Sequence, residues 1–262
     1  MNLKDAVCIV TGSATGVGAA VATRLAGKGA RVVVNYTRSR DEALQTQAAC
    51  EALGAETLLV QADISSDADC RRMAAETLAR WGRIDGLVNN AATTVAADPF
   101  DLESLDAQAF SRIFDVNVIG TYQMVRAVVP AMRAAGGGAV VNVSSSSAFT
   151  GGGSSIAYTA SKGAINSMTL ALARTLGPEI RVNAVCPGLI QTRWMPAAVG
   201  AATFDTLSQR FAQSAPMGRI ASADDVAEPI VWLLEGADYV TGELLMLDGG
   251  MRLSGGVQRK KP

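Results

Sequence analysis

The sequence predicts an α/β fold in one domain, built on a doubly wound parallel sheet. Three features carry that expectation: apolar β-branched runs without polar alternation, helix-period segments between them, and a glycine-rich turn straight after the first run. Runs apolar on both faces read as parallel strands covered on each side by helices. Repeated β–α alternation with right-handed crossovers then gives the doubly wound arrangement.

In chain order, Val7-Cys8-Ile9-Val10-Thr11 is the first strand, and a helix over 18–28 follows the glycines. The three valines of 31–35 make the second strand, ahead of a helix over 40–53. The third strand, 56–61, leads into a helix over 68–81, and the fourth, 86–89, precedes a long helix over 107–134. Gly136-Gly137-Gly138 ends that helix and lets the chain enter a fifth strand over 139–144. A helix over 157–176, a strand over 181–185, a helix over 222–234 and a strand over 244–247 complete the alternation. No composition shift marks a linker and no repeat is present, so residues 1–262 read as one domain. The stretch 188–216 breaks the pattern, because it is long for a loop and its Trp194, Met195 and Phe204 follow neither period. Loops of that length are as a rule functional or mobile. The expectation is a substrate lid, with an irregular pair of surface helices as the alternative.

With 49% hydrophobic and 18% charged residues, a chain of 262 can bury roughly 70–75% of its unfolded surface. The net charge of −1 leaves no electrostatic footprint for nucleic acid or an acidic membrane. The basic tail Arg259-Lys260-Lys261 is too short to change this and reads as a frayed, solvated end. Cys8, Cys50, Cys70 and Cys186 are scattered without a C-x-x-C pair, which suits reduced thiols. Histidine is absent, which removes imidazole base catalysis and the commonest zinc ligand, and no metal site is expected. Residues 1–6 lack the start of a signal peptide and no apolar run approaches membrane-spanning length, so the expected location is cytoplasmic.

Thr11-Gly12-Ser13-Ala14-Thr15-Gly16-Val17-Gly18 follows the first strand and opens the first helix. Glycines suit a sharp turn whose backbone approaches a pyrophosphate, with the helix N-terminus supplying free N–H groups to the anion. In an NAD site an acid near Asn35 or Tyr36 would take the ribose 2′-hydroxyl. None occurs there. Thr37, Arg38, Ser39 and Arg40 instead offer hydroxyl and cationic donors suited to a 2′-phosphate, so NADP(H) is expected ahead of NAD(H). The competing reading of the arginines is that they flank the next helix. Asp63, in Ala62-Asp63-Ile64, can accept from the adenine amino group or cap a helix.

The ordered set of motifs resembles the short-chain dehydrogenase/reductase family along nearly the whole chain. Thr11 to Gly18 matches T-G-x-x-x-G-x-G, and Asn89-Asn90-Ala91-Ala92 resembles N-N-A-G with Ala92 replacing the glycine. Asn117 stands in Asp115-Val116-Asn117-Val118, and Ser145 lies thirteen residues before Tyr158 of Tyr158-Thr159-Ala160-Ser161-Lys162. Pro187-Gly188 with Thr192, Tyr239-Val240-Thr241-Gly242 and Asp248-Gly249-Gly250 follow. Within the family the chain looks most like bacterial 3-oxoacyl-carrier-protein reductases and related NADPH-dependent alcohol dehydrogenases. The resemblance implies a Rossmann fold with a seven-stranded sheet and a homotetramer paired through the helices over 107–134 and 157–176. It also implies a cofactor site formed by Gly12, Ser13, Thr15, Gly16, Val17, Tyr36, Thr37, Arg38, Asp63, Ile64, Asn90, Ala91, Ala92, Tyr158, Lys162, Pro187, Gly188, Ile190 and Thr192.

Tyr158 and Lys162, four apart on a helix, share one face. A free phenol titrates near pH ~10, and a fixed ammonium beside it would favour the phenolate by roughly 3–4 kcal/mol. Tyr158 then serves as general acid in reduction and base in oxidation. Ser145 steadies the carbonyl oxygen, the thirteen-residue offset selecting it from Ser144, Ser146 and Ser147. By resemblance Lys162 holds the nicotinamide ribose, and Asn117 anchors a water that links Lys162 to solvent. No metal is required, because the hydride chemistry belongs to the cofactor.

The related carrier-protein reductases place basic residues just before the serine strand and at the end of the Y-x-x-x-K helix, to meet an acidic carrier. Here those stretches read Ala134-Ala135-Gly136-Gly137-Gly138 and Gly177-Pro178-Glu179 with only Arg133 and Arg174 nearby, which favours a free ketone, sugar or keto-ester over a carrier-bound thioester. A non-catalytic NADP(H)-binding protein would have no reason to keep the Asn117, Ser145, Tyr158 and Lys162 set. An epimerase or dehydratase would want a longer segment after Pro187.

Overall fold

A computed structural model describes residues 1–253, so the basic tail Arg259-Lys260-Lys261 lies outside the described residues. Seven strands form one parallel sheet: β1 (Val7–Val10), β2 (Arg31–Tyr36), β3 (Thr57–Gln61), β4 (Gly86–Asn89), β5 (Gly138–Val143), β6 (Ile180–Pro187) and β7 (Leu244–Leu247). Their order is β3-β2-β1-β4-β5-β6-β7, so the chain reverses direction across the sheet between β1 and β4. Such a switch point opens a crevice at the carboxyl ends of the strands.

The missing polar alternation has a direct cause in the packing. Cys8, Val10, Val32 and Val34 enter one core, with α1 (Gly16–Gly27), α2 (Arg40–Ala52) and α10 (Ala223–Glu235). Their neighbours Ile9 and Val33 enter the other, with α3 (Asp67–Trp81), α5 (Thr121–Ala134) and α7 (Ile156–Leu176). Each successive residue therefore meets an apolar layer.

Most boundaries fall within two residues of the sequence expectation, and three differences bear on the site. The first helix begins at Gly16, inside the glycine-rich turn. The helix expected over 107–134 is helical throughout but not uniform: α4 (Ala107–Phe114) passes through a wide π turn (Asp115–Gly120) into α5. Gly120 is needed there because a Cβ would approach Ile64 at 2.8 Å. The stretch 188–216 carries two helices, α8 (Trp194–Val199) and α9 (Ala201–Ser214), parted by Gly200 at φ +85°. Phe204 is the one buried residue of the pair, which is why neither helix shows a period in the sequence.

Among the described residues no helix is long and apolar enough to cross a membrane. All four cysteines are free and buried.

Candidate active site

The carboxyl ends of β1, β4, β5 and β6 bring the expected residues together. At β1, Gly12 and Gly16 have φ of +61° and +60°, and a Cβ on Gly18 would meet the Gly12 carbonyl at 2.5 Å. Only glycine fits such a turn. Thr15 flanks the first turn of α1 without a side-chain hydrogen bond to it, so side chains leave the amides that follow open to an anion. The open amides after Thr15 could hold a dinucleotide pyrophosphate, whereas the expected Gly12 and Ser13 donors are committed to the fold: Gly12 N donates to Asn35 Oδ1, Ser13 N to Asn35 O and Ser13 Oγ to Val10 O, at 2.9, 2.9 and 2.7 Å.

Two residues that sequence reasoning passed over hold the turn in place. Asn35 is buried in β2; its Oδ1 accepts from Gly12 N at 2.9 Å, and its Nδ2 donates to Val60 and Ala62 carbonyls at 3.3 and 3.1 Å. Its backbone N–H donates to Ser13 Oγ at 2.9 Å. Thr11 Oγ1 receives Asn90 N and Ala91 N, each at 3.0 Å. The signal for Asn35 was available: a lone amide inside the apolar run Val32-Val33-Val34 can be buried only if hydrogen-bonded. Asn90 donates through Nδ2 to the Thr11 and Gly12 carbonyls at 2.9 and 3.0 Å, which makes it a brace of the turn.

At the adenosine end Tyr36 is buried, while Thr37, Arg38 and Arg40 are exposed. Asp63 does not cap a helix. Its Oδ1 takes Ser65 N and Oγ at 3.0 and 2.7 Å, and Ser66 caps α3 instead. Ile64 is buried under Gly120.

Around β5, the short α6 (Ser147–Thr150) and α7 the serine run resolves into separate partners. Ser144 Oγ donates to the Lys162 carbonyl at 3.2 Å, whereas Ser147 is buried with an unpartnered hydroxyl. Ser145 Oγ accepts from Ser147 N at 3.2 Å and faces the Pro187 carbonyl at 3.5 Å. Ser155 caps α7 by accepting from Tyr158 N at 3.2 Å, which sets Tyr158 in the first turn and Lys162 one turn on. Asn117 lies in the π turn. Its Oδ1 accepts from Thr93 N at 2.8 Å, and its Nδ2 donates to Thr93 O and Ser161 Oγ, each at 3.0 Å. Asn117 thus fastens the chain after β4 to α7 one residue before Lys162.

Burial, and not the expected pull of Lys162, sets the direction in which the Tyr158 phenol shifts. Both groups are buried, and burial penalises each charged form. Burial pushes Tyr158 up to about 12, with the Ser145 hydroxyl pulling the other way. Burial pushes Lys162 down to about 8. The ammonium donates to the Val143 carbonyl at 2.7 Å and stands 5.5 Å from the centre of the Tyr158 ring, over its face. At neutral pH the phenol therefore keeps its proton.

Beyond β6, a Cβ on Gly188 would meet Phe211 Cζ at 2.9 Å. Ile190 pairs with Ala221, so that Gln191 N donates to Ala221 O at 2.8 Å and Ala221 N to Leu189 O at 3.0 Å. These two bonds pin the stem of 188–216. Past the stem, Thr192 lies against Gly16 and the Trp194 ring packs on Tyr158 with centroids 5.6 Å apart.

Arg133 and Arg174 do not flank this cleft. They end α5 and α7, next to the starts of β5 and β6, at the opposite edge of the sheet. With about 1.5 Å of rise per helical residue, Arg174 lies roughly 24 Å along α7 from Tyr158. Within one chain, the thin basic character of those stretches has no bearing on substrate choice.

A family model described as enoyl-(acyl carrier protein) reductase matches residues 12–252. A protein named as ketoacyl reductase 2 of the granaticin polyketide synthase of Streptomyces violaceoruber is 42% identical over 247 residues, covering 94% of this chain and 96% of its own. An L-rhamnose 1-dehydrogenase (NAD(P)+) of a Sphingomonas species is 35% identical, covering 95% and 97%. A crystal structure described as a short-chain dehydrogenase/reductase from Burkholderia xenovorans superposes with a TM-score of 0.88 at 40% identity, covering 95% and 98%.

Proposed function

The chain belongs to the short-chain dehydrogenase/reductase family of oxidoreductases, and on that premise we propose that it uses NADPH to reduce a ketone to a secondary alcohol. The observation that carries this reading is the meeting of Ser145, Tyr158 and Lys162 at the carboxyl edge of the sheet, with the phenol held protonated. When bound, the reduced nicotinamide supplies the hydride to the carbonyl carbon. Ser145 donates a hydrogen bond to the carbonyl oxygen, and Tyr158 delivers its proton there as charge develops. Lys162 orients the ribose, and Asn117 stands at the start of the path that returns a proton to Tyr158. Pro187, Gly188, Ile190 and Thr192 meet the nicotinamide, while Ala91 and Ala92 line the turn after β4.

The cofactor choice rests on Arg38 and Arg40, exposed where β2 ends without an acid. In the double variant Arg38→Ala, Arg40→Ala, NADPH binding falls at least tenfold more than NADH binding. Equal affinity of the unmodified protein for both cofactors would refute this choice.

The segment 188–216 serves as the lid. Exposed Phe110, Ile119 and Tyr122 on the stretch 107–134 and Leu170 on α7 support a homotetramer, and four unpaired thiols suit a cytoplasmic location. A second reading, reduction of a 3-oxoacyl thioester, is favoured by the name of the granaticin relative. A panel of free ketones, sugars and acetoacetyl thioesters, followed at the NADPH absorbance, separates the two. No turnover of any member would favour a non-catalytic NADP(H)-binding protein.

A further inference from the structure

Arg193 stands between two residues that touch the site, Thr192 against Gly16 and Trp194 against Tyr158. Its own side chain takes a third direction, back across the crevice to the connection between β2 and α2. There one guanidinium nitrogen donates to Ser39 Oγ at 3.0 Å, and another pairs with the Glu42 carboxylate in the first turn of α2. Among the described residues this is the one ion pair made by the segment 188–216.

The surroundings point to an anion. Arg38 and Arg40 flank Ser39, and neither makes an ion pair among the described residues. With Arg193 they bring three arginines to the connection between β2 and α2, beside Asp41 and Glu42. β2 ends just before them in the buried Tyr36 and offers no carboxylate to a ribose hydroxyl. A guanidinium fork that already binds a hydroxyl and a carboxylate has the geometry to take a phosphate oxygen pair.

We propose that Arg193 is a cofactor-specificity residue, carried by the segment after β6, that binds the adenosine 2′-phosphate, with Glu42 holding its guanidinium until the phosphate takes it over. The proposal rests on the NADP(H) reading above. Its consequence is that the segment that carries Trp194 against Tyr158 is also fastened to the adenosine end of the cofactor. A nucleotide lacking that phosphate leaves the Glu42 pair as it is.

The test uses the full-length chain and equilibrium binding of NADPH and NADH, read by the fluorescence of the bound reduced nucleotide, with no turnover involved. Arg193→Ala weakens NADPH binding tenfold or more and changes NADH binding by less than twofold. Arg193→Lys, which keeps the charge but loses the fork, recovers only part of the preference. Glu42→Gln, which removes the competing carboxylate, leaves NADPH binding as tight or tighter. Unchanged thermal unfolding of each variant shows that the fold is intact. Equal losses for both cofactors, or no loss for either, would overturn the proposal. If the unmodified protein prefers NADPH and Arg193→Ala keeps that preference, this inference alone fails. If the unmodified protein shows no preference, the cofactor reading fails and takes this inference with it.

Discussion

Replacing Lys162 by Met should make the unliganded protein more stable at neutral pH while removing its function. Lys162 is 2% exposed, and burial lowers its pKa from 10.5 to about 8. Each pH unit of difference corresponds to about 1.4 kcal/mol, so holding the ammonium in the fold costs about 3 kcal/mol. The sign follows from proton uptake. Between pH 8 and 10.5 the unfolded chain binds more protons than the folded one, so stability rises with pH across that window. Below it the full penalty applies, and above it none does. Methionine has similar reach and no charge, but leaves the Val143 carbonyl without the 2.7 Å donor it now has, a loss of about 1 kcal/mol. The variant should therefore be about 2 kcal/mol more stable at pH 7, a rise in Tm of roughly 4–8 °C for a domain of this size. By pH 10.5 the advantage should vanish or change sign. Thermal and urea unfolding at pH 7, 9 and 10.5, without nucleotide, measures this directly. A Lys162→Met protein less stable than its parent at pH 7 would show that the ammonium is not penalised where it stands, and the argument from burial would fail.

Two further outcomes follow from the same geometry. Asn35→Ala strips three side-chain hydrogen bonds from the joint between the glycine turn and β3, so it should cost about 2–4 kcal/mol and weaken NADPH binding about tenfold; unchanged affinity would mean the turn holds itself. With Trp81 and Trp232 replaced by Phe, Trp194 fluorescence should change more on adding NADP+ with a product alcohol than with NADP+ alone, and a response to neither would end the lid reading of 188–216.

The sheet could be read from the sequence because its strands are buried on both faces, so strand positions appear as unbroken apolar runs such as Val32-Val33-Val34. The glycine turn was legible for a related reason, since the close approaches at Gly12 and Gly18 exclude a side chain. What stayed hidden depends on contacts distant in sequence. The π turn at Asn117 runs where Gly120 passes too close to Ile64 for a side chain, a contact between residues far apart in the chain. The helices α8 and α9 bury a single side chain and so carry no period. The reach of Arg193 to Ser39 and Glu42 spans about 150 residues of chain. The spacing of Tyr158 and Lys162 reports proximity but not burial, and burial governs the direction in which both groups shift. Motif position alone puts Arg174 near the cleft, whereas the length of α7 carries it to the other edge of the sheet.

In the proposed reaction Tyr158 hands a proton to a carbonyl while other residues hold the cofactor. The measurement that tests it is single-turnover NADPH oxidation by Tyr158→Phe, at a ketone concentration saturating for the parent, paired with NADPH binding by fluorescence. The rate should fall by at least a thousandfold while NADPH affinity stays within about threefold. A Phe variant that oxidises NADPH at the parental rate, with affinity intact, would place the proton donor elsewhere and contradict the account.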